Sequence, residues 1–423
     1  MTKCNFVLAL LLGVFVFAAG CSVQPDAVPT PSPTPVVTVS PEPVPEPEPT
    51  PTPDPAEERL AGLSVEQKVG QLLVAGIEGT QPGEDAVQAI QNYQVGGVIL
   101  FGRNVESVGQ LCALTNGLKQ LNGEHIPLFL CVDQEGGRVD RMPPEVVRTP
   151  SAWQVGETLD PEGVGTAYGA LLAEECEAFG FNVNFAPCLD IWSNPENTVI
   201  GDRAFSNDGE WTALFGQCAV EGIQKEKNVV PVIKHFPGHG DTAVDSHEAL
   251  PVVSKTLDEL RQSELMPFEM ALHPERYTGG TAAPAVMVGH IRMDGVDPNV
   301  PATLSNKVVT KLLREEIGFD GVVFTDDLTM KAITDAYGVG DAAVRAVEAG
   351  CDVLLVCHGE ENLTLAREAL LEAVESGRIS DARLDKSVCR ILKLKQIYGL
   401  NAVLVETPDL DALNERIETL LEA

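Results

Sequence analysis

Eight short apolar, β-branched runs, separated by longer stretches with helical periodicity, constrain this chain more than any other feature. The runs fall at 71–77, 95–101, 128–133, 181–187, 229–236, 285–290, 321–327 and 351–358. Several are continuous and lack polar alternation, as expected for strands covered by helices on one face and by a packed interior on the other. Helix-patterned stretches include 105–121, 163–179, 209–225, 257–272, 305–317 and 361–376. Alternating strand and helix implies a parallel sheet. Eight repeats imply a closed (β/α)8 TIM-type barrel, here followed by C-terminal helices. A doubly wound open sheet would want a glycine-rich phosphate turn after its first strand, and AGIEGTQPGE at 75–84 does not supply GxGxxG.

The first 55 residues do not share this pattern. Lys3 gives a short positive start, and 7–19 is almost wholly apolar, too short to span a bilayer comfortably and suited to a signal peptide. It ends Ala18-Ala19-Gly20-Cys21, which looks like a bacterial lipoprotein signal in which Cys21 becomes the lipidated N-terminus. Acyl chains on Cys21 would hold the protein on the outer side of the cell membrane, each buried methylene contributing about 0.8 kcal/mol. Thirteen of the 30 prolines then lie between Pro25 and Pro55. Proline at that density settles into polyproline II, a semi-rigid spacer. The expected organisation is a signal peptide at 1–20, a lipidated tether at 21–55 and one catalytic domain at 56–423.

Charge narrows the partners. There are 62 Asp+Glu against 29 Lys+Arg, a net charge of −33, and removing residues 1–55 still leaves 57 acidic against 28 basic. Nucleic-acid binding needs clustered Lys and Arg to release counterions, so no nucleic-acid partner is expected. A monomer without cofactor is the simplest expectation. Eight cysteines remain after Cys21, at 112, 131, 176, 188, 218, 351, 357 and 389, with no CxxC pair. Most lie in apolar runs, where a free thiol behaves as a small core residue.

In a barrel of this kind catalytic groups collect where strands end and loops begin. Asp133 ends the third run, Lys234 and His235 the fifth, His290 the sixth, and Asp326 and Asp327 the seventh. The densest cluster is KHFPGHGDTAVDSH at 234–247. Its glycines permit a mobile loop, and Asp245 stands two residues from His247, close enough to orient it and stabilise its protonated form. Such an imidazole can give and retake a proton. The same stretch offers His235, His239, Asp241, Asp245 and His247 as metal ligands, but it lacks HExxH geometry, and Lys234 would repel a cation. No metal is expected.

Four motifs in order, VDQEGGRVDR (132–141), NTVIGDRAF (197–205), KHFPGHGDT with DSH, and FTDDLTM (324–330), resemble glycoside hydrolase family 3. More narrowly they resemble its single-domain β-N-acetylglucosaminidase branch acting on peptidoglycan fragments. The resemblance spans about residues 60–400. It implies that Asp326 is a nucleophile forming a glycosyl–enzyme intermediate, and that His247 is the general acid/base, held by Asp245. It implies that Asp133, Arg141, Arg203, Lys234 and His235 bind the non-reducing-end sugar, an N-acetylglucosamine unit of a glycan substrate. Strand alternation says only that Asp326 and Asp327 point in opposite directions. Another sugar preference, phosphorolysis, or a sugar-binding lipoprotein without catalysis are the alternative expectations.

Overall fold

The computed structural model describes residues 54–422, apart from 226–227, 243–245 and 247–248. The expected signal peptide, Cys21, most of the tether, Asp245 and His247 therefore lie outside the described residues.

Among the described residues ten strands occur in chain order: β1 (Leu73–Gly76), β2 (Gly97–Ile99), β3 (Phe129–Val132), β4 (Val183–Asn184), β5 (Val230–Phe236), β6 (Val252–Thr256), β7 (Ala285–Val288), β8 (Arg292–Gly295), β9 (Val322–Asp327) and β10 (Val353–Val356). Eight of them, without β6 and β8, close a parallel barrel in the order β1-β2-β3-β4-β5-β7-β9-β10, and β10 returns to pair with β1. Val74 stands opposite Leu355 on one side and Gly97 on the other, which sets the closing register. Each barrel strand lies inside one of the eight apolar runs, and every residue of β5 is buried. The (β/α)8 architecture follows directly from that pattern.

Phe324 fills the interior, with Phe129 at 6.0 Å and Phe185 at 5.6 Å between ring centroids. Burying one such ring contributes about 1.5–3 kcal/mol. Helices cover the outside, among them Val108–Asn122, Thr166–Ala178, Gly209–Gln224, Val339–Ala349 and Glu360–Glu375. The expected single helix over 257–272 is instead two, Leu257–Arg261 and Leu265–Leu272. Pro267 explains the break, because its missing N–H is tolerated in the first turn of a new helix but not inside a long one.

The helix Asp381–Ile397 holds the end of the barrel where strands begin. Lys395 donates to Gln71 Oε1 at 2.9 Å and to Gly96 O at 2.8 Å, and lies over the Phe129 ring. Burial pushes its amine down to about 7. Buried Asp352 gathers Arg314 (2.5 Å), Ser387 Oγ (2.6 Å) and Arg390 (3.3 Å) beside it. These contacts leave the opposite rim, where strands end, to the loops.

No helix among the described residues is long and apolar enough to cross a membrane. All eight cysteines outside the first 53 residues are free thiols; six are buried, while Cys218 and Cys389 are partly exposed.

Candidate active site

The loop leaving β3 turns sharply at Gly136 and Gly137, with φ of +74° and +55°. A Cβ at Gly136 would come within 2.3 Å of Pro150 O, so only glycine fits both the backbone angle and the space. The turn brings Asp133, Glu135 and Arg141 to the barrel mouth. Lys234 reaches them from the end of β5. It is only 1% exposed, and its Nζ contacts the Asp133 carboxylate and lies 2.5 Å from Glu135 Oε1. Arg203, from the loop after β4, grips Glu135 with two parallel bonds of 2.8 Å.

Burying so many charges is tolerable only because each is paired. Burial alone would raise the Glu135 pKa, but Arg203 and Lys234 hold its carboxyl well below the ordinary range. Burial would lower Lys234, and Asp133 and Glu135 raise it instead. Both groups are therefore ionised at neutral pH. Fixed, charged groups with spare bonding capacity are what a polyol needs, since charge-assisted hydrogen bonds are about twice as strong as neutral ones.

His235, beside Lys234, donates from Nδ1 to Asp190 Oδ2 at 2.6 Å and presents Nε2 to Arg203 at 3.4 Å. Asp190 also accepts from the backbone N–H of His239 at 2.6 Å. Cys188, Asp190 and His235 come close enough to surround a cation. Their donors and acceptors are already engaged with one another, and burial pushes the Cys188 thiol well up, away from a ligating thiolate.

One cavity of about 230 Å³ collects these groups. Asp133, Glu135, Arg141, Arg203, Lys234, His235, His239 and Ser246 line it together with Asp326, Asp327, Met330 and, at the rim, Phe101 and His358. Six of the eight residues to which the resemblance gives a role (Asp133, Arg141, Arg203, Lys234, His235 and Asp326) thus meet in one place. Two lining groups keep buried donors or acceptors without a partner among the described residues, Arg141 Nε and His239 Nε2. Buried polar atoms of that kind cost free energy unless something bonds them, which suits a site that awaits a ligand. A larger cavity of about 620 Å³ lies at the other end of β9, beside Leu60, Gly321 and Arg390, away from this cluster.

The two neighbouring acids of β9 have different surroundings. Asp327 accepts from Thr329 N (3.0 Å), Thr329 Oγ1 (2.5 Å) and Cys357 N (3.0 Å), so its carboxylate ties β9 to β10. Asp326 Oδ1 accepts from Asp327 N at 2.8 Å, and its side chain faces the cavity half-buried. His290, noted at the end of a strand, is not part of the lining. It is fully buried, with Nδ1 2.8 Å from Thr303 Oγ1 and Nε2 2.8 Å from Asp327 O, and it braces the end of β9 from behind.

Described residues of the stretch 234–247 are anchored before and after positions 243–245. Asn197 Nδ2 donates to His239 O at 2.8 Å, Gly240 packs on Ile191, and Ala332 N donates to Ser246 O at 3.2 Å. Ser246, the residue between Asp245 and His247, is in the cavity wall.

Glu135 and Asp190 were not singled out from the sequence. Glu135 lies inside VDQEGGRVDR, two residues beyond Asp133, and the buried Lys234 was a signal that a second anion had to stand near. Asp190 falls three residues past the fourth apolar run, where nothing in the pattern marks it.

Residues 64–394 match the glycosyl hydrolase family 3 N-terminal domain. The β-hexosaminidase of Pseudomonas aeruginosa is 37% identical over 301 residues, 70% of this chain and 86% of that protein. β-Hexosaminidase A of Pseudoalteromonas piscicida is 34% identical over 333 residues, 73% of this chain but only 54% of that protein, so the match spans about half of that longer relative. Among solved structures, a family 3 β-N-acetylglucosaminidase from a Paenibacillus species superposes with a TM-score of 0.78 at 42% identity, over 85% of this chain and 68% of that one. The matched span and these relatives show that the chain belongs to glycoside hydrolase family 3.

Proposed function

We propose that the protein is an exo-acting, retaining β-N-acetylhexosaminidase that releases terminal N-acetylglucosamine from cell-wall fragments or related glycans. The observation that carries this reading is the meeting of Asp326 with the ion-paired set Asp133, Lys234, Glu135 and Arg203 in one cavity of about 230 Å³. Asp133, Arg141, Arg203, Lys234 and His235 grip the hydroxyls of one sugar ring. Asp326 attacks the anomeric carbon as the glycosidic bond breaks, which leaves the sugar on its carboxylate. His247, oriented and charged by Asp245, gives the leaving oxygen a proton and then takes one from the water that releases the sugar. Two displacements at one carbon retain its configuration. The names of the relatives support the N-acetylhexosaminide preference.

Turnover on a panel of nitrophenyl glycosides tests the reading. Release from the β-N-acetylglucosaminide should exceed release from the β-glucoside by at least about 10²-fold, and added phosphate should leave rate and product unchanged. A sugar 1-phosphate product would make the enzyme a phosphorylase. Binding without turnover would make it a sugar-binding protein.

The proposal extends to place: the enzyme works outside the cell membrane, tethered through Cys21. Cys21→Ala should move the protein from the detergent phase to the aqueous phase while specific activity stays within about twofold, since the barrel begins some fifty residues further on. Equal partitioning of wild type and variant into the aqueous phase overturns the anchor.

A further inference from the structure

Glu175 is fully buried on the helix Thr166–Ala178, and no step proposed above uses it. Its Oε2 accepts from Gln134 Nε2 at 2.9 Å, and its Oε1 lies 2.7 Å from Thr149 Oγ1. Both partners belong to the frame of the loop that carries Asp133, Glu135 and Arg141. Gln134 joins Asp133 to Glu135, and with its amide nitrogen held by Glu175 its Oε1 faces back to accept from Arg141 N at 2.8 Å. Thr149 O accepts from Gly137 N at 2.8 Å, at the other end of the glycine turn. Tyr168, seven residues before Glu175 and so on the same helix face, donates its hydroxyl to Glu135 O. One helix face therefore holds the loop at 134, 135 and, through Thr149, at 137.

Among the described residues no Lys or Arg pairs with Glu175. The charges and titratable groups that face it are Asp140 on the loop, which carries Arg148 at 3.7 Å, and Tyr168 and Cys176 on its own helix. An anion here would be unpaired and would face another acid.

We propose that Glu175 is a positioning residue, a buried strut that sets the sugar-binding loop 133–141 through Gln134 and Thr149. The proposal rests on the reading that this loop grips the sugar. Burial, with a contribution from Asp140, raises the Glu175 carboxyl to about 8, so the strut is protonated at neutral pH and ionises in mild alkali. Once ionised it still accepts from Gln134 and from the Thr149 hydroxyl, but it repels Asp140, and that repulsion strains the loop between Gln134 and Arg141. Tyr168 and Cys176 are pushed far above this range by burial and do not titrate with it.

Glu175→Gln keeps an acceptor for Gln134 Nε2 and carries no titrating proton, and the Thr149 hydroxyl can turn to accept from its amide. Two measurements on the full chain, from pH 6 to 9.5, decide the matter. In the first, calorimetric affinity for N-acetylglucosamine should fall about tenfold in wild type as pH passes 8, while Glu175→Gln matches wild type at pH 6 and keeps its affinity in alkali. In the second, hydrogen exchange of amides 134–141, corrected for intrinsic pH dependence, should show protection lost above pH 8 in wild type only. A Glu175→Gln protein with the same alkaline losses as wild type, or with weak binding already at pH 6, overturns the proposal. If wild type binds no N-acetylglucosamine at any pH, the functional reading falls, and the exchange data still decide whether Glu175 positions the loop.

Discussion

Asp326→Asn should lose at least about 10³-fold in kcat on an aryl N-acetylglucosaminide while melting within a degree or two of wild type. The change is isosteric and removes charge and nucleophilicity only, and the retained carbonyl can still accept from Asp327 N. Losing a covalent nucleophile costs several kcal/mol of transition-state stabilisation, each 1.4 kcal/mol being a factor of ten. Asp327→Asn makes the contrast. Its carboxylate holds Thr329 N, Thr329 Oγ1 and Cys357 N, and an amide can satisfy only part of that set while turning a donor toward the rest. That variant should lose about 1–3 kcal/mol of stability, visible as a lower Tm, with a smaller loss of rate. Peptide mapping after trapping the intermediate with a slowly released substrate should place the sugar on Asp326. A trapped sugar on Asp327, or full activity in Asp326→Asn with an inactive Asp327→Asn, moves the nucleophile by one residue.

The barrel was legible in the sequence because its strands are buried on both faces, which makes several of them continuous apolar runs. The shortest, Val183–Asn184, lies in FNVNFAP at 181–187, where two asparagines interrupt the run. The two-stranded sheet of β6 and β8 was not legible. VVSKT and RMDG mix charge, glycine and apolar residues, and only their pairing outside the barrel makes them strands. The site divides in the same way. Asp133, Lys234 and Asp326 stand at the ends of apolar runs, where a charge is conspicuous. Glu135, Asp190 and Glu175 lie in loops or in a helix, where acids are ordinary. Their importance comes from burial and from partners 26 to 99 positions away, such as Thr149 for Glu175 and Lys234 for Glu135. No local pattern records those meetings. The nearness of Asp245 and His247, by contrast, is a property of the chain itself and could be read directly.

That nearness leads to the second large effect. His247→Ala should slow hydrolysis of a natural disaccharide, whose sugar alkoxide leaves poorly without a proton, by about 10²–10⁴-fold, the usual contribution of general acid/base assistance. Glycosylation by an activated nitrophenyl substrate, whose leaving group departs unaided, should fall far less. The second step still needs a base to activate water, so that substrate should show a fast burst of nitrophenol followed by a slow steady state, as the glycosyl–enzyme accumulates. Added azide, a nucleophile that needs no deprotonation, should restore the steady state in the variant and do little to wild type. Asp245→Ala should give a weaker version of the same pattern, because an aspartate beside an imidazole orients it and stabilises its charged form without touching the glycosidic oxygen. A metal held by His235, His239 and His247 predicts otherwise: chelator would abolish wild-type activity, both substrate classes would fall together in His247→Ala, and azide would rescue neither. His239 sharpens the distinction. Its Nδ1 already lies 2.8 Å from Thr242 Oγ1, and burial lowers its pKa, so it is neutral and fixed near pH 7. His239→Gln should therefore cost binding more than proton transfer, raising KM with little change in the ratio between natural and activated substrates. If His239→Gln reproduces the substrate-dependent loss and the azide rescue expected of His247→Ala, the proton carrier is His239, and the assignment of His247 is wrong.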